Sequence, residues 1–157
     1  SNDVSAVFKQ INDEKLVFVS RGDESGTHTK EKSIWQKLGI DYTTNPNYVS
    51  AGAGMADTII MADEKKGYCL SDRGTWLSTV KKADNEISLE IICEGDPMLF
   101  NQYGVIAVSE KVNPDTNLEA ANEFIQWICS PDIQKAIAEF GVEEYGQGLF
   151  VPNAETK

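Results

Sequence analysis

Residues 16 to 38 constrain the fold most. The apolar run Leu16 to Val19 passes through Ser20-Arg21-Gly22-Asp23-Glu24-Ser25-Gly26-Thr27 into a stretch where Ile34, Trp35 and Leu38 recur at helical spacing and Gly39 follows. A short apolar run with β-branched residues predicts a buried parallel strand, and the 3–4 spacing predicts a helix. The joining loop therefore meets a helix N-terminus. There the first N–H groups lack intrahelical acceptors and the macrodipole adds positive partial charge, so the loop is a candidate cradle for an anion. The planar fork of Arg21 and the hydroxyls of Ser20, Ser25 and Thr27 add donors, and Gly22 and Gly26 admit close backbone approach. On pattern alone, simple capping by Ser25 or Thr27 with Arg21 paired to Asp23 explains the same residues equally well.

The alternation continues along the chain. Val4, Val7, Phe8 and Ile11 predict a helix over about residues 3–12 ahead of a strand at 15–20. Tyr48 to Ser50 is a short apolar segment, and Gly52-Ala53-Gly54 leads from it into a helix carrying Met55, Ile59 and Ile60. Gly67 to Leu70 predicts a further strand, after which Ser71-Asp72-Arg73-Gly74-Thr75 opens a helix with Trp76, Leu77 and Val80 on one face. For Asp72 and Arg73 a structural ion pair beside a capped helix is the simpler reading. Ser88 to Cys93 and Gly104 to Val108 predict two more strands, separated by the turn material Glu94-Gly95-Asp96-Pro97. The C-terminal third is helical: Thr116 and Glu119 fit a capping box ahead of Leu118 to Ile128, and Ser130-Pro131 opens a helix that Gly141 ends. Strands alternating with helices predict an α/β class.

Composition excludes several functions. A net charge of −11 opposes nucleic acid and anionic membranes as partners, both of which need clustered Lys and Arg. It also repels anions at long range. Screening over roughly 8–10 Å leaves local dipoles and one arginine to decide an anion site. No apolar run approaches the roughly 20 residues of a membrane span. Cys69, Cys93 and Cys129 are scattered without CxxC spacing, which predicts buried thiols rather than a disulfide framework or zinc site. Gly52-Ala53-Gly54 has Asp57 where a dinucleotide fingerprint needs its third glycine, and no Gly-Lys-Ser or Gly-Lys-Thr of a P-loop occurs. A hydrolytic set of Ser25, His28 and Asp23 fails on spacing, because His28 lies on the same first turn and no GxSxG elbow exists. No signal peptide is visible, but Ser1-Asn2 fits the remnant of a cleaved tag, in which case the native N-terminus is unseen and the absence is silent on targeting.

Taken in order, Ser20 to His28, Gly52-Ala53-Gly54-Met55, Ser71 to Thr75, Glu94-Gly95-Asp96-Pro97 and Asn101 to Val108 resemble the tungstate-binding proteins of ABC importers, over about Val4 to Pro152. The resemblance implies a periplasmic-binding-protein type II-like α/β lobe: a central, mostly parallel sheet flanked by helices, with a helical C-terminal segment. It implies a single lobe over residues 1–157, with an α/β core over about 3–110 and a segment over about 111–157 that packs on a first lobe. Nothing resembling that lobe's Thr/Ser-rich loop appears in this sequence. The implied function is non-enzymatic capture of tungstate or molybdate for an extracytoplasmic route to a membrane permease, without cofactor or metal. The family's loop arginine and threonine map onto Arg21 and Thr27; Ser25, Gly26 and Gly54 join them as expected backbone donors. Apolar faces left without the first lobe could bury themselves in a homodimer through the C-terminal helices. The competing expectation is a ligand-sensing effector domain attached to a DNA-binding module.

Overall fold

The computed structural model describes residues 1–82 and 86–154. The chain divides into two compact units, Ser1–Asn101 and the residues from Gln102 onward.

The first unit is an α/β layer built on a strand that is buried at every position. α1 (Val4–Asp13) presents Val4, Phe8 and Ile11 inward at the spacing its sequence requires, and the Asp3 side chain caps it by accepting from the Ala6 N–H. β1 (Phe18–Ser20) pairs in parallel with β2 (Tyr48–Ser50), with Phe18 opposite Tyr48 and Ser20 opposite Ser50. On the other edge of β1, Val19 donates to Tyr68 O at 2.7 Å and Tyr68 donates to Val17 O at 2.9 Å. The expected strand over 67–70 is thus one bridge residue, Tyr68, beside Phe18.

α2 (Gly26–Lys37) runs between the strands, α3 (Met55–Glu64) joins β2 to the Tyr68 segment, and α4 (Arg73–Lys82) follows that segment. α2 buries Ile34 and Trp35. The Phe8, Phe18 and Trp35 rings meet at centroid separations of 4.4–5.5 Å, tilted or edge-on as aromatic quadrupoles prefer. On α3 the buried residues are Met55, Thr58, Ile59 and Ala62, an exact 3–4–7 face, whereas Ile60 falls off it and is 44% exposed.

Two expected strands do not form. Neither 88–93 nor 104–108 lies in a ladder among the described residues, and Ile91, Ile92, Val105, Ile106 and Val108 are exposed. A strand needs a neighbour to satisfy its N–H and C=O rows, and apolar content alone does not supply one. Segment 88–99 is held instead by scattered contacts: Asp63 accepts from both the amide and hydroxyl of Ser88, the Glu94 N–H donates to Ser1 O at 3.1 Å, and Asp96 accepts from the Val4 N–H at 2.8 Å. The cysteines are partly buried rather than fully buried.

The second unit holds α5 (Leu118–Ile128), α6 (Pro131–Glu139) and α7 (Val142–Tyr145). Asn117, not Thr116, caps α5: its side-chain oxygen accepts from the Ala120 N–H at 3.0 Å, so the expected capping box is displaced by one residue. Ser130 and Pro131 open α6, although the Ser130 hydroxyl donates back to Trp127 O instead of capping. Phe140 terminates α6, and Gly141 follows at φ +90°, with Leu149 against the position a Cβ would take. No described residue beyond Thr79 is buried.

Candidate anion site

Parallel strands carry their outgoing loops to one edge, and here two such loops are joined. β1 leads into residues 21–25 and then α2; β2 leads into residues 51–54 and then α3. The Ala51 N–H donates to Ser20 O at 2.9 Å and the Ala53 N–H to Arg21 O at 3.3 Å, so the second loop is tied to the backbone of the first. Gly22 seals the junction. It holds φ +62°, and a Cβ there would sit 1.9 Å from the Ser50 hydroxyl. Two helix N-termini therefore stand together beyond the carboxyl ends of parallel strands, the place where open α/β sheets bind ligands.

Of the five sequence-predicted residues, Arg21, Ser25, Gly26 and Thr27 lie on the first loop and the first turn of α2. Gly54, the N-cap of α3, adjoins Ala53 of the tied loop. Gly26 and Thr27 open the helix, and their N–H groups precede any intrahelical acceptor. Ser25 takes another role. Its amide donates to Asp23 Oδ1 at 3.2 Å, and its hydroxyl accepts from the His28 N–H at 3.3 Å. The expected Ser25 backbone donor is thus engaged within the loop, while its capping role holds.

Arg21 donates to Asp23 Oδ2 at 2.5 Å, and its Nε is buried with no partner among the described residues. Asp23 is exposed. The Ser25 hydroxyl, then its amide, then the Arg21 guanidinium hold the Asp23 carboxyl below the ordinary aspartate range. The carboxylate accordingly shows that this loop already solvates an anionic oxygen pair with an arginine and a helix-terminal N–H. The adjacent Glu24 turns elsewhere, to Lys32 Nζ at 2.7 Å, and adopts φ +59°. His28 Nδ1 accepts from the Glu24 N–H at 3.1 Å, so the imidazole braces the loop backbone while the Ser25 hydroxyl meets the His28 amide. That is a capping arrangement, not a nucleophile aimed at a base.

Two loop residues take roles that their types alone do not assign. Asp23 was treated as a possible partner of Arg21, but its Asp-x-Ser spacing is also the signature of a turn in which a carboxylate accepts from the amide two residues on. Ser20 was counted as a ligand donor, yet it is buried at 1% exposure and its Oγ accepts from the Gly22 N–H at 3.2 Å. At the third loop, Asp72 accepts from the Thr75 N–H at 2.8 Å, while Arg73 pairs with Glu94 and not with its neighbour.

The chain is similar to known proteins over most of its length. The PBP superfamily domain matches over residues 1–132. The chain is 49% identical over 157 residues to the tungstate-binding protein TupA of Peptoclostridium acidaminophilum, covering 98% of this chain and 52% of that protein. A solved tungstate-binding protein from Desulfovibrio alaskensis superposes with a TM-score of 0.84 at 42% identity, over 97% of this chain and 60% of the other. The tungstate ABC transporter structure from Geobacter sulfurreducens matches with a TM-score of 0.66 at 33% identity, over 89% and 57% of the two chains. The chain spans about half the length of the curated relatives it matches.

Proposed function

This chain belongs to the PBP superfamily, and from that premise we propose that it is one wall of a tetrahedral-oxyanion site, with tungstate the favoured cargo and molybdate an alternative. The observation that carries the reading is the tie from Ala53 N–H to Arg21 O, which sets the arginine loop against a second helix-opening loop. Arg21, Gly26, Thr27 and Gly54 supply donors, and the loop geometry that now receives the Asp23 carboxylate would receive an oxyanion by the same hydrogen bonds. The protein binds and releases its ligand without turnover and hands it to an ABC permease from the extracytoplasmic side. The names of relatives at 49% and 42% identity support the ligand class.

The site is half of a clamp. The unmatched half of the relatives supplies the opposing donors, and the exposed residues Phe124, Trp127 and Phe140 of α5 and α6 are available to pack against it or, in its absence, against a second copy. Each 1.4 kcal/mol of missing hydrogen bonding is tenfold in affinity, so the chain alone binds weakly. Titration calorimetry with tungstate is expected to give a dissociation constant far above the nanomolar range. Nanomolar affinity for residues 1–157 alone would contradict the half-clamp.

A further inference from the structure

The loop assigned to an anion already holds one, and it is the chain's own. The Asp23 carboxylate takes a donor on each oxygen: Oδ1 accepts from the Ser25 N–H at 3.2 Å, and Oδ2 from Arg21 Nη2 at 2.5 Å. An arginine fork and an amide at a helix N-terminus are the donor types that an incoming oxyanion recruits. Asp23 therefore occupies groups that a bound ligand needs.

The two partners differ in their freedom to separate. Arg21 is anchored, because its backbone carbonyl accepts from the Ala53 N–H at 3.3 Å. Its Nε is buried with no partner among the described residues, so pairing with Asp23 leaves the guanidinium a donor still to place. Asp23 lies at the surface, where a carboxylate leaving the loop is solvated by water, and ion pairs of exposed side chains are weakly held. The neighbouring Glu24 carries the same charge but is committed elsewhere: its carboxylate pairs with Lys32 Nζ at 2.7 Å, and its N–H donates to His28 Nδ1 at 3.1 Å. That brace holds the loop backbone beside Asp23 independently of where the Asp23 side chain points.

We infer that Asp23 is the resident occupant of the anion site, displaced by the incoming oxyanion and restored on its release. The inference rests on the oxyanion reading given above and adds how the empty site is held. While Asp23 is in place, ambient anions meet an arginine that is already paired, and capture requires an anion that outcompetes the carboxylate.

The experiment is an amide-resolved NMR titration of the full chain with tungstate at neutral pH, in the wild type, Asp23→Asn and Glu24→Gln. Asparagine keeps an oxygen for the Ser25 N–H and removes the charge from Arg21. Asp23→Asn is therefore expected to tighten tungstate binding roughly two- to fivefold, the range that exposed ion pairs span. Glu24→Gln removes the same charge one residue along and should change the affinity much less. In the wild type the Asp23 carboxyl carbon resonance should move with saturation while that of Glu24 stays. Unchanged or weaker binding in Asp23→Asn overturns the inference, weaker binding meaning that the carboxylate aims Arg21 at the ligand. Equal tightening in both variants also overturns it, since that reports net charge alone, and so does an Asp23 resonance that ignores saturating tungstate. Sulfate separates the two readings. Loop amides that ignore tungstate in every chain, yet respond to sulfate more strongly in Asp23→Asn than in the wild type, reject tungstate as cargo and leave the displacement standing; silence toward both anions rejects both.

Discussion

Arg21 concentrates the chemistry of the site, because it is the arginine whose backbone carbonyl is held by the second loop while its guanidinium meets a carboxylate. A hydrogen bond to a charged group contributes about 1.5–3 kcal/mol, so Arg21→Ala is expected to lower tungstate affinity by roughly ten- to a hundredfold in any form that binds. Cys69→Ala serves as the comparison. Cys69 lies outside both loops, its thiol pushed up to about 11 by burial, and equal losses in the two variants would refute the assigned site. Gly22 makes a second prediction at this scale. A Cβ there combines φ +62° with a collision at Ser50, so Gly22→Ala should destabilise the fold by at least about 1–2 kcal/mol in urea denaturation. Gly54→Ala, at an ordinary φ of −65° with open space around its Cβ position, should cost less. The candidate residues are legible in the sequence as a set, since Ser20 to Thr27 are contiguous and their types suit an oxyanion. Their division of labour is not. Which hydroxyl faces ligand and which is buried depends on strand pairing, and Ser20 lies buried on β1 opposite Ser50 of β2.

At the scale of elements, the helices and the strand at β1 were readable and the later strands were not. α1 and α2 each carry an apolar face that their own sequence completes, so α1 at Val4–Asp13 matches the expectation closely. The 88–93 and 104–108 runs have strand composition, but a ladder is a property of two segments, and their apolar residues stand exposed among the described parts of the chain. What fastens the chain just beyond the first of these runs is Asp96, which accepts from Val4 N–H and Met98 N–H, both at 2.8 Å. Those amides, Met98 first and then Val4, lower the Asp96 pKa below its usual value. A depressed carboxylate pKa contributes stability that is present above the unfolded value, near 3.9, and is lost as pH falls through the folded one. Asp96→Asn should therefore lower the melting temperature at neutral pH and flatten its decline on acidification; an acid limb as steep as in the wild type would contradict the assignment. For α5, Asn117→Ala should cost about 1 kcal/mol and Thr116→Ala much less, read as helix content against urea.

For the whole molecule, the distribution of burial is as informative as the site. Every buried residue among those described lies between Val4 and Thr79, while α5 and α6 carry Phe124, Trp127 and, at the end of α6, Phe140 at 51–60% exposure. Those faces fit a chain that covers 52% of one tungstate-binding relative and 60% of a solved one. Supplying the unmatched half of a relative in trans should protect the amides of α5 and α6 from exchange and increase tungstate affinity; no protection would argue that these faces serve another partner. The central claim is that Arg21 and the paired starts of α2 and α3 hold a tetrahedral oxyanion. Its most direct test is a tungstate titration followed at each backbone amide, which registers even millimolar binding. Saturable shifts centred on Gly22, Gly26, Thr27 and Gly54, weakened by Arg21→Ala, are the expected result. Shifts absent from those four amides, or unaltered by Arg21→Ala, would contradict it.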